Sequence, residues 1–189
     1  MATQARQRLL DTAAELFYAE GIRAVGVERI LAESGVGRAS FYRHFASKDE
    51  LVIEVLRRTD TAWRDWLATR VDTLTDTAGD KPLAVFDALE ERFGRQDFRG
   101  CAFINTIVET ADPSSLAHHV AHEHKEAVID YLAGLLEAAG HPAPRPMAQA
   151  LHLLIDGAVV TALRERTPDP ARRAKESAAV LLAAAGPAR

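Results

Sequence analysis

Cysteine is nearly missing from this sequence: Cys101 is the only one in 189 residues. A lone thiol excludes an internal disulfide, a disulfide scaffold and a thiolate cage for a metal, and it fits a reducing compartment. Long apolar runs are missing as well. The opening MATQARQRLLDTAAELF carries Asp11 and Glu15 where a secretory leader would be continuously apolar, and no later run approaches the roughly 20 apolar residues that span a bilayer. A soluble, cytoplasmic chain without a membrane partner is therefore expected. There is no glycine-rich phosphate loop, no repeat of fixed period, no block of like charge, and no low-complexity tract before the alanine-rich end. Sustained period-two alternation is absent too, so no strand is expected.

Hydrophobic residues make up 48% of the chain and charged residues 26%, which suffices for a core and argues against a mainly disordered chain. The length fits one ordinary domain, or a small domain fused to a moderate one. The net charge of -4 is unevenly distributed. Residues 1–58 carry nine Lys or Arg against eight Asp or Glu, while the remainder carries 14 against 19. Within the first segment, Gly35 to Lys48 holds Arg38, Arg43, Lys48 and His44 but no acid. That window, with aromatic residues interleaved, is a candidate polyanion surface on an otherwise acidic molecule.

Helical periodicity dominates, and an all-α fold is predicted. Leu9, Leu10, Ala13, Leu16 and Phe17 mark a first helix over about residues 3 to 19, with Gly21 as its stop. A second covers Val27 to Ser34, and a third runs from Arg38 to about Phe45 after the turn Gly35-Val36-Gly37. Ser47 reads as the N-cap of a long fourth helix with Asp49 and Glu50 in its first turn. Further helices are expected over Leu83 to Phe93, Ala102 to Thr110 and Ser115 to Ala139. A proline-rich linker spans His141 to Pro146, and two last helices cover about Pro146 to Arg164 and Pro170 to Ala185.

Two short helices joined by a three-residue glycine turn have the geometry of a helix-turn-helix, whose second helix enters the DNA major groove. In the string GVGRASFYRHFASKDEL, Phe41 and Phe45 lie four apart and can bury, which leaves Arg38, Tyr42 and Arg43 on the other face with His44 at its edge. Ala39 and Ser40 are small enough for close approach to base edges, and Lys48 adds a phosphate ligand at the start of the next helix. The alternative is an amphipathic helix on which Tyr42, Arg43 and His44 are merely solvated. The string resembles the TetR family of bacterial transcriptional regulators over roughly residues 5 to 55. The resemblance implies a three-helix DNA-binding head at residues 1–48, joined by the long fourth helix to an effector-binding and dimerisation bundle at 49–189. It implies that Arg38, Ala39 and Ser40 face bases and that Tyr42, His44 and Lys48 hold phosphates, with the role of Arg43 open between base and phosphate. Gly26 stands where the family often has a threonine, which removes a hydroxyl contact while leaving an acceptable cap.

The resemblance also places a small-molecule effector pocket after about residue 60. Trp63, Trp66, Phe86, Phe93, Phe103, Ile107 and Val108 are its candidate apolar lining, with Asn105 and Glu109 spaced i,i+4 to orient a ligand. His152 and Asp156 are further polar candidates; the alternative is that these side chains are ordinary core or solvent contacts. His118 with His122 and His152 with Asp156 have zinc-compatible spacing, yet no neighbour completes a known pattern. Exposed histidines from His118 to His124, no metal and no cofactor are the expectation. Cys101 lacks a nucleophile motif and reads as a buried structural residue, so no catalysis is expected. On the last two helices, Leu151, Leu154, Ile155, Ala158 and Ala162 with Ala174, Ala178, Leu181, Leu182 and Ala185 recur at helical spacing. The resemblance implies that such a pair meets its symmetry mate, and Leu151, Leu154, Ile155, Ala158, Ala162, Ala178, Leu181 and Leu182 are the candidate homodimer interface. The expected protein is thus a repressor of palindromic double-stranded operator DNA released by a small-molecule effector. The rival reading is a small-molecule or metal carrier with a degenerate head.

Overall fold

The computed structural model describes residues 2–184; Ala185 lies outside the described residues. These fold into nine helices without a strand: α1 Ala2–Glu20, α2 Val27–Ser34, α3 Arg38–His44, α4 Lys48–Leu74, α5 Lys81–Phe93, α6 Ala102–Thr110, α7 Leu116–Ala138, α8 Pro144–Glu165 and α9 Asp169–Ala184. The helices divide between two compact units. One comprises the chain up to Ala62 together with Ala102–Glu123, the other Trp63–Cys101 together with the chain from His124 onward.

In the first unit, α1 packs on α2 and α3. Leu9, Leu10, Ala13, Leu16 and Phe17 form one stripe of α1 and are all buried, joined by Val25, Ile30, Val36, Phe41, Phe45 and Leu51. Gly21 ends α1 with φ of 96°, a conformation that costs a residue with a Cβ about 1–3 kcal/mol. Gly35 closes α2 in the left-handed region at φ 63°, and Ser34 Oγ then accepts the Val36 N–H at 3.3 Å, which locks the turn into α3. Arg6 with Glu54 and Arg58 with Asp11 tie α1 to α4. The packing division differs from the expected boundary at residue 48, because α6 and the first turns of α7 belong with the first unit.

The second unit is organised by α5, α8 and α9, which pack on one another. Val85, Phe86, Leu89, Leu132, Leu136, Leu151, Ile155, Ala162, Ala171 and Ala178 make its core. The predicted linker is shorter than its prolines suggest: α8 begins at Pro144, so Pro144 and Pro146 lie in its first turn. Proline has no N–H to lose there, because the first amides of a helix lack intrahelical partners. By length and composition α8 could cross a bilayer, with mean hydropathy 1.4, although 39% of the stretch is buried inside the fold. Arg145, His152, Asp156 and Arg164 interrupt it, which is why no continuous run is visible.

Candidate nucleic-acid interface

The turn residues and the two phenylalanines determine what α3 presents. Gly37 caps it in extended geometry (φ -69°, ψ 150°), and its carbonyl accepts the amides of Ser40 and Phe41. Phe41 and Phe45 are 0% and 1% exposed, with ring centroids 5.9 Å apart. They clamp the helix, so Tyr42 and Arg43 between them turn outward. Tyr42, between them, is 51% exposed and stands edge-on to Phe41 at 5.1 Å. Arg38, Ala39 and Arg43 are exposed and Ser40 is half-buried.

The charges around α3 are held loosely. Arg38 pairs with Glu28 of α2 on the surface, a contact of the exposed kind that contributes little and is readily exchanged for another anion. Arg29 is held more firmly, by Glu33 and Glu20, which raise its pKa above the ordinary guanidinium value. Arg43 has no carboxylate partner among the described residues. His44 is half-buried, and its Nε2 is buried without a hydrogen-bond partner among the described residues. That nitrogen is closed to an outside phosphate in this conformation.

Lys48 opens α4, where Ser47 caps the first turn: its Oγ accepts the Glu50 N–H at 3.2 Å, and Glu50 Oε2 reaches back to accept the Ala46 N–H at 2.6 Å. The Lys48 ammonium donates to the Ile22 carbonyl at 2.5 Å and sits 5.9 Å from the Phe17 ring centroid. Loss of water pulls its pKa below the ordinary lysine value, although Asp49 and Glu109 act in the opposite sense. A neutral carbonyl compensates a desolvated ammonium poorly, so an anion would be a better partner.

A half-buried glutamate reaches the same corner from α6. Glu109 Oε2 accepts the Arg23 N–H at 3.0 Å, and a Cβ built on Gly21 would stand 2.9 Å from Glu109 Oε1. The turn after α1 is therefore held by a side chain 86 residues away. Sequence spacing carries no sign of this contact, because periodicity reports faces of single helices and not pairings across the fold.

The exposed basic face on a short second helix agrees with the known proteins this chain matches. A family model for bacterial regulatory proteins of the tetR family matches residues 9–55, and one for the C-terminal domain of LmrA/YxaF-like transcriptional regulators matches residues 80–177, just over half of the chain. The chain belongs to the TetR family. It is accordingly a DNA-binding transcriptional regulator and not an enzyme. Its fold is similar to that of a TetR-family transcriptional regulator from Streptomyces coelicolor, with 32% identity, a TM-score of 0.88, and 97% of this chain and 96% of that one covered. It is also similar to the transcriptional regulator LmrA of Bacillus subtilis, 25% identical over 169 residues that cover 87% and 89% of the two chains. The transcriptional repressor KstR2 of Mycolicibacterium smegmatis matches at 38% identity over 95 residues, 46% of this chain and 44% of that one.

The remaining candidate residues of this TetR-family regulator fall in both units. Phe103, Asn105, Ile107 and Glu109 belong to the first, Trp63, Trp66, Phe86, His152 and Asp156 to the second. Phe103 and Phe86 are buried in the cores of their units, whereas Val108 points to solvent. Trp63 and Trp66 meet at 6.3 Å, and Trp66 also carries the Arg92 guanidinium over its ring at 5.7 Å. His152 Nε2 lies 3.9 Å from Asp156 Oδ1, which accepts from Lys125 Nζ at 2.5 Å. Burial pulls the His152 pKa below the usual imidazole value; Lys125 acts in the same sense, and Asp156 and Glu126 oppose it.

Three expectations are corrected. His124 is not on an exposed face: it is 3% exposed and packs edge-on to Trp63 at 5.2 Å, because its position on α7 points inward. Cys101 is half-buried, not fully buried, since it follows the Gly100 turn and precedes the first helical residue of α6. Leu151, Ile155, Ala158, Ala162 and Ala178 are buried in the subunit's own core and offer no surface to a partner. Leu154 and Leu182 are half-buried, and Leu181 is exposed. The free apolar face of α8 is instead Leu153, Val160 and Leu163, with Gly157 between the first two and open space around it. On α9, Val180 and Leu181 are exposed as well. No group of three or more His, Cys, Asp or Glu among the described residues is placed to hold a metal ion.

Proposed function

We propose that this regulator is a repressor that binds a palindromic operator as a homodimer and is released by a small-molecule effector. Residues 1–48 serve as the DNA-binding part and 49–189 as the effector-binding and dimerisation part, in the cytoplasm. The observation that carries this reading is α3 itself: a helix clamped by Phe41 and Phe45 that turns Arg38, Tyr42 and Arg43 outward. Arg38, Ala39 and Ser40 read base edges, Tyr42 and Lys48 hold phosphates, and Arg43 reaches either. His44 contributes through whichever ring atom the DNA-bound conformation exposes. A role as repressor is supported by the name of the KstR2 relative, a transcriptional repressor.

Dimerisation is supported by the unpartnered apolar face of α8 and α9, where Gly157 permits close helix approach. A two-fold pair sets two recognition helices on successive major grooves. The effector acts by population shift. It favours the state in which the two recognition helices no longer match the operator, and it weakens DNA binding by its differential affinity for that state.

The test is fluorescence anisotropy of the purified protein on DNA from upstream of its own gene, against a scrambled fragment, at two salt concentrations. Preferential binding with two protomers per site is the expected result. Equal, weak binding to both fragments that salt abolishes would overturn the operator reading.

A further inference from the structure

The α6 side chain that reaches the head meets a peptide group already engaged from its other side. Glu109 Oε2 accepts the Arg23 N–H at 3.0 Å, and the Lys48 ammonium of α4 donates to the Ile22 carbonyl at 2.5 Å. That carbonyl and that amide belong to one planar group, the peptide joining Ile22 to Arg23. A cation therefore stands at the negative end of its dipole and an anion at the positive end. Each contact strengthens the other, because a polarised amide is both a better acceptor and a better donor. Helix α6 is not served by this carboxylate, since Glu109 lies in its last turn, at the negative pole of the macrodipole. Gly21 leaves the room it occupies: at φ 96° an added Cβ would stand 2.9 Å from Oε1 and 3.1 Å from Oε2 of Glu109. Lys48 and Glu109 are both half-buried, and Glu109, with Asp49, favours the charged form of the partly desolvated lysine.

We propose that Glu109 is a positioning residue for DNA binding: through the Ile22–Arg23 peptide it fixes the Lys48 ammonium at the turn between α1 and α2, so that this lysine meets a phosphate already ordered. An ammonium has three N–H donors, and the Ile22 carbonyl takes one, which leaves two for a phosphate. A long side chain ordered in advance loses less freedom when DNA arrives. The effect on DNA rests on the phosphate role proposed above for Lys48; the bridge through the peptide does not.

The experiment compares Glu109→Asp with Glu109→Gln in the full chain. Asp keeps the charge, and with it the long-range field on DNA, but is a methylene too short for the amide. Gln keeps the reach and an acceptor without the charge. Operator affinity, read by anisotropy, should fall about threefold to tenfold in Glu109→Asp, the range that ordering one long side chain contributes, and Glu109→Gln should recover most of that loss. In a Lys48→Met background Glu109→Asp should have no further effect. A second readout needs no DNA. Hydrogen exchange of the Arg23 amide, followed by NMR, should be roughly tenfold faster in Glu109→Asp than in the wild type, and faster in Lys48→Met as well. The reverse order of Asp and Gln on DNA would make Glu109 a charge and not a positioning group, and a loss as large without Lys48 as with it would detach it from this lysine; either result overturns the proposal. Arg23 exchange equal in the wild type and Glu109→Asp overturns the bridge itself. A wild type that binds no DNA fails the operator reading, while amide exchange still judges the bridge.

Discussion

The helices around α3 in the first unit and the last two helices of the second differ in what they turn to solvent. On α1 and α3 the apolar residues are consumed by the core, and α3 turns Arg38, Tyr42 and Arg43 to solvent. In the second unit, several charges are paired across helices. Lys175 holds both oxygens of Asp87 at 2.6 Å, Arg70 grips Glu91 through two contacts at 2.8 and 2.5 Å, and Lys125 takes Asp156. What stays open there is apolar, with Leu153 and Val180 at 74% and 70% exposure. Exposed cations suit a polyanion, and an exposed apolar stripe suits another protein surface. The contrast marks the proposed DNA face and the proposed dimer face more clearly than net charge does.

The comparison can be broken at its strongest point by removing the clamp beneath the recognition face. Phe41→Ala deletes a side chain with no exposed area, and a loss of about 3–5 kcal/mol is expected. Denaturant unfolding followed by far-ultraviolet circular dichroism would measure it, and a loss below about 1 kcal/mol would show that the first unit does not depend on this packing.

The apolar face of the second unit is tested by Leu153→Glu with Val160→Glu. Both positions are solvent-exposed in the single chain, so its folding should change by less than about 1 kcal/mol while sedimentation shifts from dimer to monomer. Retained dimers would move the interface elsewhere.

Single charges of the first unit should matter to DNA and little to folding. Arg38→Ala is expected to cost about 1–3 kcal/mol of operator affinity and to relax sequence preference. Lys48→Ala should weaken all sequences alike and lower the salt slope by about one. Anisotropy titrations over a salt series distinguish the two. Equal effects on specific and scrambled DNA for Arg38→Ala would remove it from base recognition.

The smallest expected effect is the titration of His152. Its folded pKa lies below the unfolded value because burial disfavours the imidazolium, so below the ordinary imidazole pKa the unfolded chain binds more protons. The stability of the second unit should therefore fall as pH drops through that value, and His152→Gln should flatten the dependence. Thermal melts from pH 7.5 to 5.5 would check this, and a wild-type slope identical to that of the variant would exclude it.

How much was legible in the sequence differs between the units for a physical reason. The head is built from short-range devices: the α1 stripe, the Gly35-Val36-Gly37 turn, the Ser47 cap and the i,i+4 pair Phe41 and Phe45. Each lies within a few residues, so periodicity and capping chemistry express them directly. The bundle is built from helices whose faces are chosen by distant partners. Leu151 and Leu153 stand two residues apart, both are leucine, and one is buried while the other is 74% exposed. Hydrophobicity could not rank them, and Leu151, Ile155, Ala158, Ala162 and Ala178, expected at a dimer interface, are buried within the single chain.

By itself the sequence determined an all-helical chain, the start of nearly every helix, and a basic, aromatic-interleaved α3, because those properties follow from local propensity and charge. Only the tertiary structure decided which apolar residues become core and which become free surface. It also decided that His124 is buried against Trp63, and that α6 packs with the head and brings Glu109 to Gly21 and Arg23. Those outcomes depend on contacts between residues far apart in the chain, and such contacts leave no mark on spacing within a single helix.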